Sequence, residues 1–448
     1  MDYLVPCLVF SWLFYLWDTY LQWRQRRVFH SVSHVPPELN SLLDESTFDK
    51  SRVYQLDKSS YGLVHDLFKQ VELMVILAVG GIPLLWSLSG WITASLLGLG
   101  PEYELSQSMV FVELLLLYST LTGLPWSIYS TFFLEDRHGF NKQTPVFFIK
   151  DQTKSLVLQL LIVPPIVLGL LYTIQLGGQA FFIYSWLFLA AITFLFVTVY
   201  QEFIAPLFDK FSPLPEGALH TSILSLTSSL SFPLKKIQVV EGSKRSAHSN
   251  AYLYGFWWNK VIVIFDTLLE PGLLGRKEGE GEEEKEEPPD KEGQKVKGCS
   301  EEEVMAVLAH ELGHWSLSHT LKLLAVSQLN LLLSLSMFAF FIEQQDVYSS
   351  FGFHDSRPTI IGIILVFQLI FMPYNEAVQF ALVQVVRRFE YQADGYARQL
   401  GRGAALRSAL TKLSKDNLSF PVADSLYSAF HHTHPTFLER IKRLPKLD

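Results

Sequence analysis

Charged residues are scarce in this chain and are missing from long stretches of it. Only 18% of its 448 residues are Asp, Glu, Lys or Arg, whereas 49% are hydrophobic. No Lys or Arg occurs in residues 70–136, 155–209, 323–356 or 358–386. A water-soluble protein of this size carries more charge and spreads it more evenly. The composition therefore argues against an ordinary soluble enzyme and predicts a polytopic membrane protein.

Cysteine pairs and basic aromatic clusters are also missing. The two cysteines, Cys7 and Cys299, have no CxxC spacing and cannot build a disulfide framework. No clustered basic and aromatic surface suggests a nucleic-acid partner. The apolar residues 3–23 lack a basic segment before them and a small-residue cleavage site after them, so they are interpreted as the first transmembrane helix rather than a signal peptide.

Apolar runs of spanning length account for the gaps in charge. A bilayer core requires roughly 20 apolar residues, and seven runs are near that length. The predicted fold class is a mainly α-helical polytopic membrane protein with seven transmembrane helices. The predicted spans are residues 4–21, 73–97, 109–134, 156–174, 181–203, 323–342 and 359–385.

Basic residues follow alternate spans and predict the orientation. Arg24 follows the first span, Arg137 the third, Lys210 the fifth and Arg387 the seventh, whereas the intervening loops contain only Arg357. By the positive-inside rule, the N-terminus is expected to be lumenal and the C-terminus cytosolic. The lipid bilayer is therefore an expected partner along most of the chain.

The spans divide the chain into four parts. Residues 1–203 hold spans one to five, 204–322 form a cytosolic catalytic region, 323–386 hold spans six and seven, and 387–448 complete the catalytic region. The acidic insert 277–297 has almost no apolar residue and is predicted to be a disordered loop.

The strongest functional motif is His-Glu-Leu-Gly-His, which begins at His310. His310 and His314 are four residues apart, so on a helix they project from one face and can hold one Zn²⁺. Glu311 between them can take a proton from a metal-bound water. Ser300 and Glu303 form a capping box that begins a helix running through His310 and His314. If that helix continues into the sixth span, His314 lies nine residues before Leu323.

A catalytic zinc takes three protein ligands, and the best third candidate is Glu390. Asp394 lies four residues further on and shares its helical face, where it can accept a hydrogen bond from the far nitrogen of a histidine ligand. Alternatively, the two carboxylates are a solvated acidic pair beside Arg387 and its basic neighbours. His319 lies five residues after His314, off the ligand face, and is interpreted as an ordinary polar residue.

Two further segments are candidates for contacts with the substrate. His434 can donate a hydrogen bond to an oxyanion, although it also belongs to a histidine-rich run that would be solvated. Asn250 and Ala251 precede the alternating apolar stretch 260–265, which predicts a strand. An edge strand beside a zinc site can hold a peptide in extended form.

Ten segments spread over nearly the whole chain match a known family. They are residues 22–27, 34–39, 54–58, 123–126, 138–141, 204–211, 239–252, 310–315, 387–394 and 434–435. On these segments the chain resembles the CAAX prenyl protease 1 family of integral membrane zinc metalloproteases. That density of matches is far more specific than the histidine motif alone.

The resemblance implies both an active site and a substrate class. His310, His314 and Glu390 would hold zinc, Glu311 would be the general base, and Asp394 would support a histidine ligand. His434 would stabilise the oxyanion, and Asn250 and Ala251 would lie along the substrate backbone.

The family encloses a water-filled chamber within its seven helices, with a catalytic domain containing a small β-sheet at the cytosolic end. Farnesylated C-terminal peptides lose their last three residues, and prelamin A-like substrates are cut a second time upstream. The expected location is the endoplasmic reticulum membrane and, in animals, the inner nuclear membrane.

Two rival hypotheses remain at this point. A channel or transporter with a structural zinc would account for seven spans and for the intramembrane carboxylates Glu113 and Glu376, but it has no need of Glu311. A general membrane quality-control zinc protease would cut unprenylated chains with the same chemistry. The two protease hypotheses are separated by measuring the cleavage of one peptide with and without its farnesyl group.

Overall fold

The fold is built from helices around one small sheet. The computed structural model describes residues 2–255, 259–274 and 298–445. The acidic insert 277–297, predicted to be disordered, lies outside the described residues. In chain order the helices are α1 Leu4–Ser31, α2 Glu45–Ala78, α3 Gly81–Leu97, α4 Glu104–Tyr129, α5 Pro145–Leu176, α6 Phe181–Val199, α7 Ala218–Ser229, α8 Glu301–Ser316, α9 His319–Phe341, α10 Gln345–Ser349, α11 Thr359–Ile364, α12 Met372–Gln399, α13 Gly403–Asp416, α14 Ser425–His431 and α15 Phe437–Ile441.

The helices reproduce the predicted number of spans. In the described part of the chain, five helical segments are long and apolar enough to cross a membrane, and counting each of two bent helix pairs as one span gives seven. All seven overlap the apolar runs predicted from the sequence. The segments are Leu4–Ser31, Glu45–Ala78 with Gly81–Leu97, Glu104–Glu135, Pro145–Leu176, Gly178–Leu207, His319–Phe341, and Thr359–Ile370 with Met372–Gln399.

Two spans predicted as single runs are in fact bent. The second span bends by 66° between α2 and α3, where Gly80 has a φ of 65°. The seventh bends by 60° before α12, which carries Pro373 in its first turn. Glycine adopts this left-handed conformation without strain, and proline has no N–H with which to continue the preceding helix.

The spans share one apolar core but bury few of their residues completely. Large side chains such as Phe111, Leu171, Phe338 and Leu365 are at most 1% exposed and form the membrane core. In each of the five unbent spanning candidates, only 11–17% of the most apolar window is buried. Most side chains in these windows therefore keep some exposed surface within the protein.

A four-stranded mixed sheet lies between the fifth and sixth spans in the sequence. Its strands are β1 Phe211–Pro213, β2 Leu234–Val240, β3 Ala251–Tyr254 and β4 Lys260–Phe265, in the spatial order β1-β2-β4-β3. β2 and β4 are parallel, and β1 and β3 flank them in antiparallel pairing. The predicted strand 260–265 is therefore confirmed, but it is an inner strand, and β3 forms the edge.

Helix α8 is almost entirely enclosed. Val304, Leu308 and Leu312 are fully buried in a core shared with the sheet, α7 and α13. The predicted capping box is present, with the Ser300 N–H donating to the Glu303 carboxylate over 2.8 Å. This packing holds the histidine motif in a fixed orientation.

The histidine motif and the sixth span belong to two separate helices. α8 ends at Ser316, and α9 begins at His319 after Ser318, whose φ is 57°. The helix of the histidine motif therefore does not continue into the sixth span. By contrast, the seventh span does continue beyond the apolar run, because α12 runs unbroken from Met372 to Gln399 and carries Glu390 and Asp394.

Candidate metal centre

His310 and His314 face the same point from consecutive turns of α8. Their Nε2 atoms are 3.2 Å apart. The His310 side chain is almost fully buried, and that of His314 is about a quarter exposed at 23%. A four-residue spacing on a rigid buried helix produces this convergence.

Glu390 of α12 closes the group from the opposite side. Its carboxylate oxygens lie 3.6 Å from His310 Nε2 and 3.3 Å from His314 Nε2, and the residue is 3% exposed. One ligand atom from each of the three residues lies within 4.8 Å of the other two. The alternative interpretation of Glu390 and Asp394 as a solvated acidic pair is therefore wrong.

The three residues fit one zinc ion. Tetrahedral zinc with ligands at about 2.0–2.1 Å separates adjacent ligand atoms by about 3.3 Å, close to the distances observed here. Two imidazole nitrogens and one buried carboxylate are also ligand types that zinc binds in catalytic sites. The group is in place to bind one metal and leaves a fourth position for water or substrate.

His310 is held from behind by Asp394. The Nδ1 atom of His310 lies 2.9 Å from Asp394 Oδ1, and Asp394 is 3% exposed. Arg440 donates to both oxygens of Asp394, from Nε over 2.9 Å and from Nη2 over 2.5 Å. The carboxylate places the His310 proton on Nδ1 and leaves Nε2 free for the ion. The sequence did not predict this role of Arg440.

His319 is not the ordinary polar residue that the sequence suggested. It is 1% exposed, and its Nδ1 lies 3.1 Å from Nδ1 of His314. The helix break at Ser318 moves it to this position. On an uninterrupted helix, five residues correspond to a rotation of about 140°, which would turn His319 away from His314.

Glu311 lies between the two histidines on α8, and burial raises the pKa of its carboxyl group. A general base works best when its pKa approaches the working pH, so a rise from the ordinary range favours this role. The position beside both ligands agrees with the sequence prediction.

His434 lies at the more open side of the centre. Its side chain is 67% exposed, and Nδ1 is 2.8 Å from Glu390 Oε2, which raises the pKa of His434. The loop before it is fastened by Arg387, which donates to the Ser428 hydroxyl over 2.9 Å and to the His432 carbonyl over 3.2 Å. An exposed imidazole is thereby kept beside the ligand group.

Asn250 and Ala251 lie where β3 begins. The Asn250 carbonyl accepts from the Phe265 N–H over 3.0 Å, and its side-chain oxygen accepts from the Ala251 N–H over 2.8 Å. Asn250 lines a cavity of about 510 Å³ together with His434 and Arg440. The structure thus brings this segment to a cavity that is also lined by His434, the neighbour of Glu390.

Comparison with known proteins covers nearly the whole chain. Residues 25–210 match the family model described as CAAX prenyl protease N-terminal, five membrane helices, and residues 213–448 match peptidase family M48. Members of family M48 are zinc-dependent metalloproteases, in agreement with the ligand group formed by His310, His314 and Glu390.

Individual relatives agree along their full length. The chain is 51% identical to the CAAX prenyl protease 1 homolog of Mus musculus and 51% identical to that of Homo sapiens, covering 98% of this chain and 94% of each relative. The crystal structure of S. mikatae Ste24p superposes with a TM-score of 0.87 at 34% identity, covering 99% of both chains. This chain therefore belongs to peptidase family M48 and, within that family, to the membrane-embedded CAAX prenyl protease 1 group.

Proposed function

We propose that this zinc metalloendopeptidase removes the last three residues from farnesylated CAAX proteins at a membrane. The observation that carries the proposal is the group of His310, His314 and Glu390, which fits one zinc ion beside a cavity in a chain 51% identical to CAAX prenyl protease 1 homologs. Substrates carrying a prenyl chain partition into the bilayer, so a protease that consumes them gains from being embedded there.

The three ligand residues would hold the ion, and Glu311 would be the general base. An ion held there would act as a Lewis acid, polarising the scissile carbonyl and lowering the pKa of the attacking water. Glu311 would take a proton from the water and deliver it to the leaving amine. Asp394 and Arg440 keep His310 in the tautomer that can bind the ion.

His434 and the β3 edge would position the peptide. His434 lies close enough to the ligand group to donate a hydrogen bond to the oxyanion that develops during attack. β3 is the last strand of the sheet, so an extended substrate can pair with its edge, beginning at Asn250 and Ala251. A strand-like substrate presents each peptide bond in a defined register, which suits an endopeptidase.

The membrane part would form the chamber expected for this group. A second cavity, of about 490 Å³, lies between α1, α2 and α12 and is lined by Asp18, Asp66, Lys69 and Glu376. Charged side chains that line a cavity require water or one another as partners, which supports a wet interior. Glu376 therefore has a role in the proposed chamber wall.

The division of the chain, its orientation in the membrane, its location and a second cut are also proposals. The division into residues 1–203, 204–322, 323–386 and 387–448 follows the spans. A lumenal N-terminus and a cytosolic active site follow from the basic residues after alternate spans. We propose residence in the endoplasmic reticulum membrane and the inner nuclear membrane, and a second upstream cut for prelamin A-like substrates.

The deciding experiment is a cleavage assay on the purified full-length protein, with zinc measured on the same sample. A farnesylated CAAX peptide should lose its last three residues, and the same peptide without the lipid should be cut far more slowly. Glu311→Ala should abolish cleavage while zinc remains bound. Equal rates on the two peptides would favour a general quality-control protease instead, and wild-type activity in Glu311→Ala would refute the mechanism.

A further inference from the structure

His319 is sandwiched between the zinc ligand His314 and helix α12. Its ring stacks on Phe389 with centroids 4.1 Å apart and planes 4° from parallel. Its Nδ1 faces His314 Nδ1 over 3.1 Å, and its Nε2 faces Gln392 Oε1 over 2.9 Å. Both ring nitrogens therefore have a partner, and the ring plane is fixed by the stack.

Hydrogen-bond chemistry determines where each proton in this row lies. The amide oxygen of Gln392 can only accept, so His319 carries its proton on Nε2. A neutral imidazole has one N–H, so His319 Nδ1 is an acceptor and His314 Nδ1 must be the donor. His314 then keeps a lone pair on Nε2, the atom that lies 3.3 Å from Glu390 and 3.2 Å from His310 Nε2.

We propose that His319 is a positioning residue for the metal and that Gln392 determines its tautomer. Gln392, His319 and His314 form a row of hydrogen bonds that presents the His314 Nε2 lone pair to the ion. This inference rests on the metal site of the proposed function and extends it to residues outside the ligand group.

The two histidine ligands thus have different supports. His310 is backed by Asp394, an anion neutralised by Arg440, whereas His314 is backed by a neutral imidazole. A neutral support fixes the tautomer without adding another negative charge beside Glu390 and Glu311. Net charge at a zinc site affects how strongly the ion activates water, so an uncharged support suits a centre that already holds two carboxylates.

The helix break between α8 and α9 is part of this arrangement. Ser318, with a φ of 57°, allows His319 to begin a new helix in a direction that places its ring beside that of His314. A non-glycine residue in the left-handed region is strained, so the surrounding structure must hold it there. The stack on Phe389 and the two hydrogen bonds of His319 supply that restraint.

The test measures zinc affinity by chelator competition on the full-length protein, together with the visible spectrum of the Co²⁺-substituted form. His319→Phe keeps an aromatic ring against Phe389 but removes the acceptor, and zinc affinity should fall about 10–100-fold with an altered Co²⁺ spectrum. His319→Asn places a side-chain oxygen near the position of Nδ1 and should recover most of the affinity. Rescue by Asn separates positioning from ring packing.

Gln392 provides a second test that does not disturb the core, because it is exposed on α12. Gln392→Met removes the acceptor and should weaken zinc binding, whereas Gln392→Glu keeps an acceptor oxygen and should not. His65→Phe is the matched control, since His65 lies among Tyr61 and Trp126 and should leave zinc affinity unchanged.

Several results would overturn the inference. Wild-type zinc affinity together with an unchanged Co²⁺ spectrum in His319→Phe would overturn it. Equal losses of zinc affinity in His319→Phe and His319→Asn would overturn it as well. If His319→Phe does not fold, an unaffected Gln392→Met decides against the proposal. Failure of the wild-type protein to bind zinc would instead refute the proposed function itself.

Discussion

Gly313 of α8 packs directly against Ala393 of α12, the helix that carries Glu390. A Cβ atom on Gly313 would lie 3.2 Å from Ala393 Cα and 3.1 Å from Tyr396 Cβ. Ala393 is fully buried, so a methyl group on Gly313 would have no open space to occupy. The glycine inside the histidine motif thus sets the spacing between the two helices that supply the zinc ligands.

Gly313→Ala should therefore weaken zinc binding. The added methyl group pushes α12 away by a few tenths of an ångström and moves Glu390 relative to the histidines. We expect a loss of about 1–3 kcal/mol in the free energy of unfolding, with weaker zinc affinity measured by chelator competition. Gly395→Ala, also on α12, is the control, because a Cβ there meets no atom within 4 Å. Equal zinc affinity in the two variants would contradict the spacing argument.

A second prediction concerns the buried pair of Asp394 and Arg440. Asp394→Asn keeps an oxygen for His310 but removes the anion that Arg440 contacts directly, leaving it only Glu390 at 4.0 Å. Removing one partner of a buried ion pair costs about 3–5 kcal/mol, and loss of the histidine support weakens metal binding about 10–100-fold. Thermal unfolding and zinc titration measure the two effects.

The companion experiment adds Arg440→Gln to Asp394→Asn. Because the double variant no longer buries an unpaired charge, it should be less destabilised than the two single variants added together. Strict additivity of the two changes would mean that the pair contributes no coupling. Zinc affinity should remain low in the double variant, since His310 still lacks the charged support.

The sequence anticipated the ligand group because helical spacing carried most of the information. His310 with His314, and Glu390 with Asp394, are each four residues apart, and both pairs lie on regular helices. Pairing of the two helices in space was inferred from chemistry, since zinc needs a third ligand. The seven spans were likewise visible, because apolar length and missing Lys and Arg are local properties of the sequence.

Features that depend on breaks in regular structure were not anticipated. No local signal marks Ser318 as left-handed, so His319 was placed on the wrong face of a continuous helix. The bends at Gly80 and before α12 fall within apolar runs that appear uniform in composition. The role of Arg440 depends on tertiary packing of α15 against α12, which spacing alone does not reveal.

Metal removal should separate catalysis from folding. The cores around α8 and the sheet are apolar and do not depend on the ion, so the zinc-free protein should remain helical. It should nevertheless unfold at a lower temperature, since a ligand at 1,000 times its Kd stabilises a protein by about 4.1 kcal/mol. Chelator treatment should abolish cleavage, and added Zn²⁺ should restore it, with circular dichroism monitoring the fold. Persistent cleavage in a sample shown to lack metal would contradict the zinc mechanism.

Asp424 joins the first span to α14, the helix that leads to His434. Arg24 of α1 donates to both Asp424 oxygens, over 3.1 and 2.9 Å, and the Asp424 N–H donates to Gln25 over 2.7 Å. Asp424 also caps α14 by accepting from the Leu426 and Tyr427 N–H groups. Asp424 therefore ties the first span to the start of α14, the helix that precedes His434.

Arg24→Gln should loosen the segment that leads to His434 and reduce kcat about tenfold through misplacement of His434, with zinc content unchanged.

The same variant should change how stability depends on pH. Burial raises the pKa of Asp424, but hydrogen bonding to Arg24 and to the two amides outweighs burial and lowers it. A carboxyl group with a lowered folded pKa stabilises the protein above its unfolded pKa, about 3.9, and this contribution is lost as the pH falls through the folded value. In Arg24→Gln the folded pKa moves back toward the unfolded one, so the difference in stability from wild type should be full at neutral pH and shrink below about pH 4. Thermal unfolding of both proteins at a series of pH values measures this difference in stability. A difference that grows on acidification would show that ionised Asp424 is not the group through which Arg24 stabilises the protein.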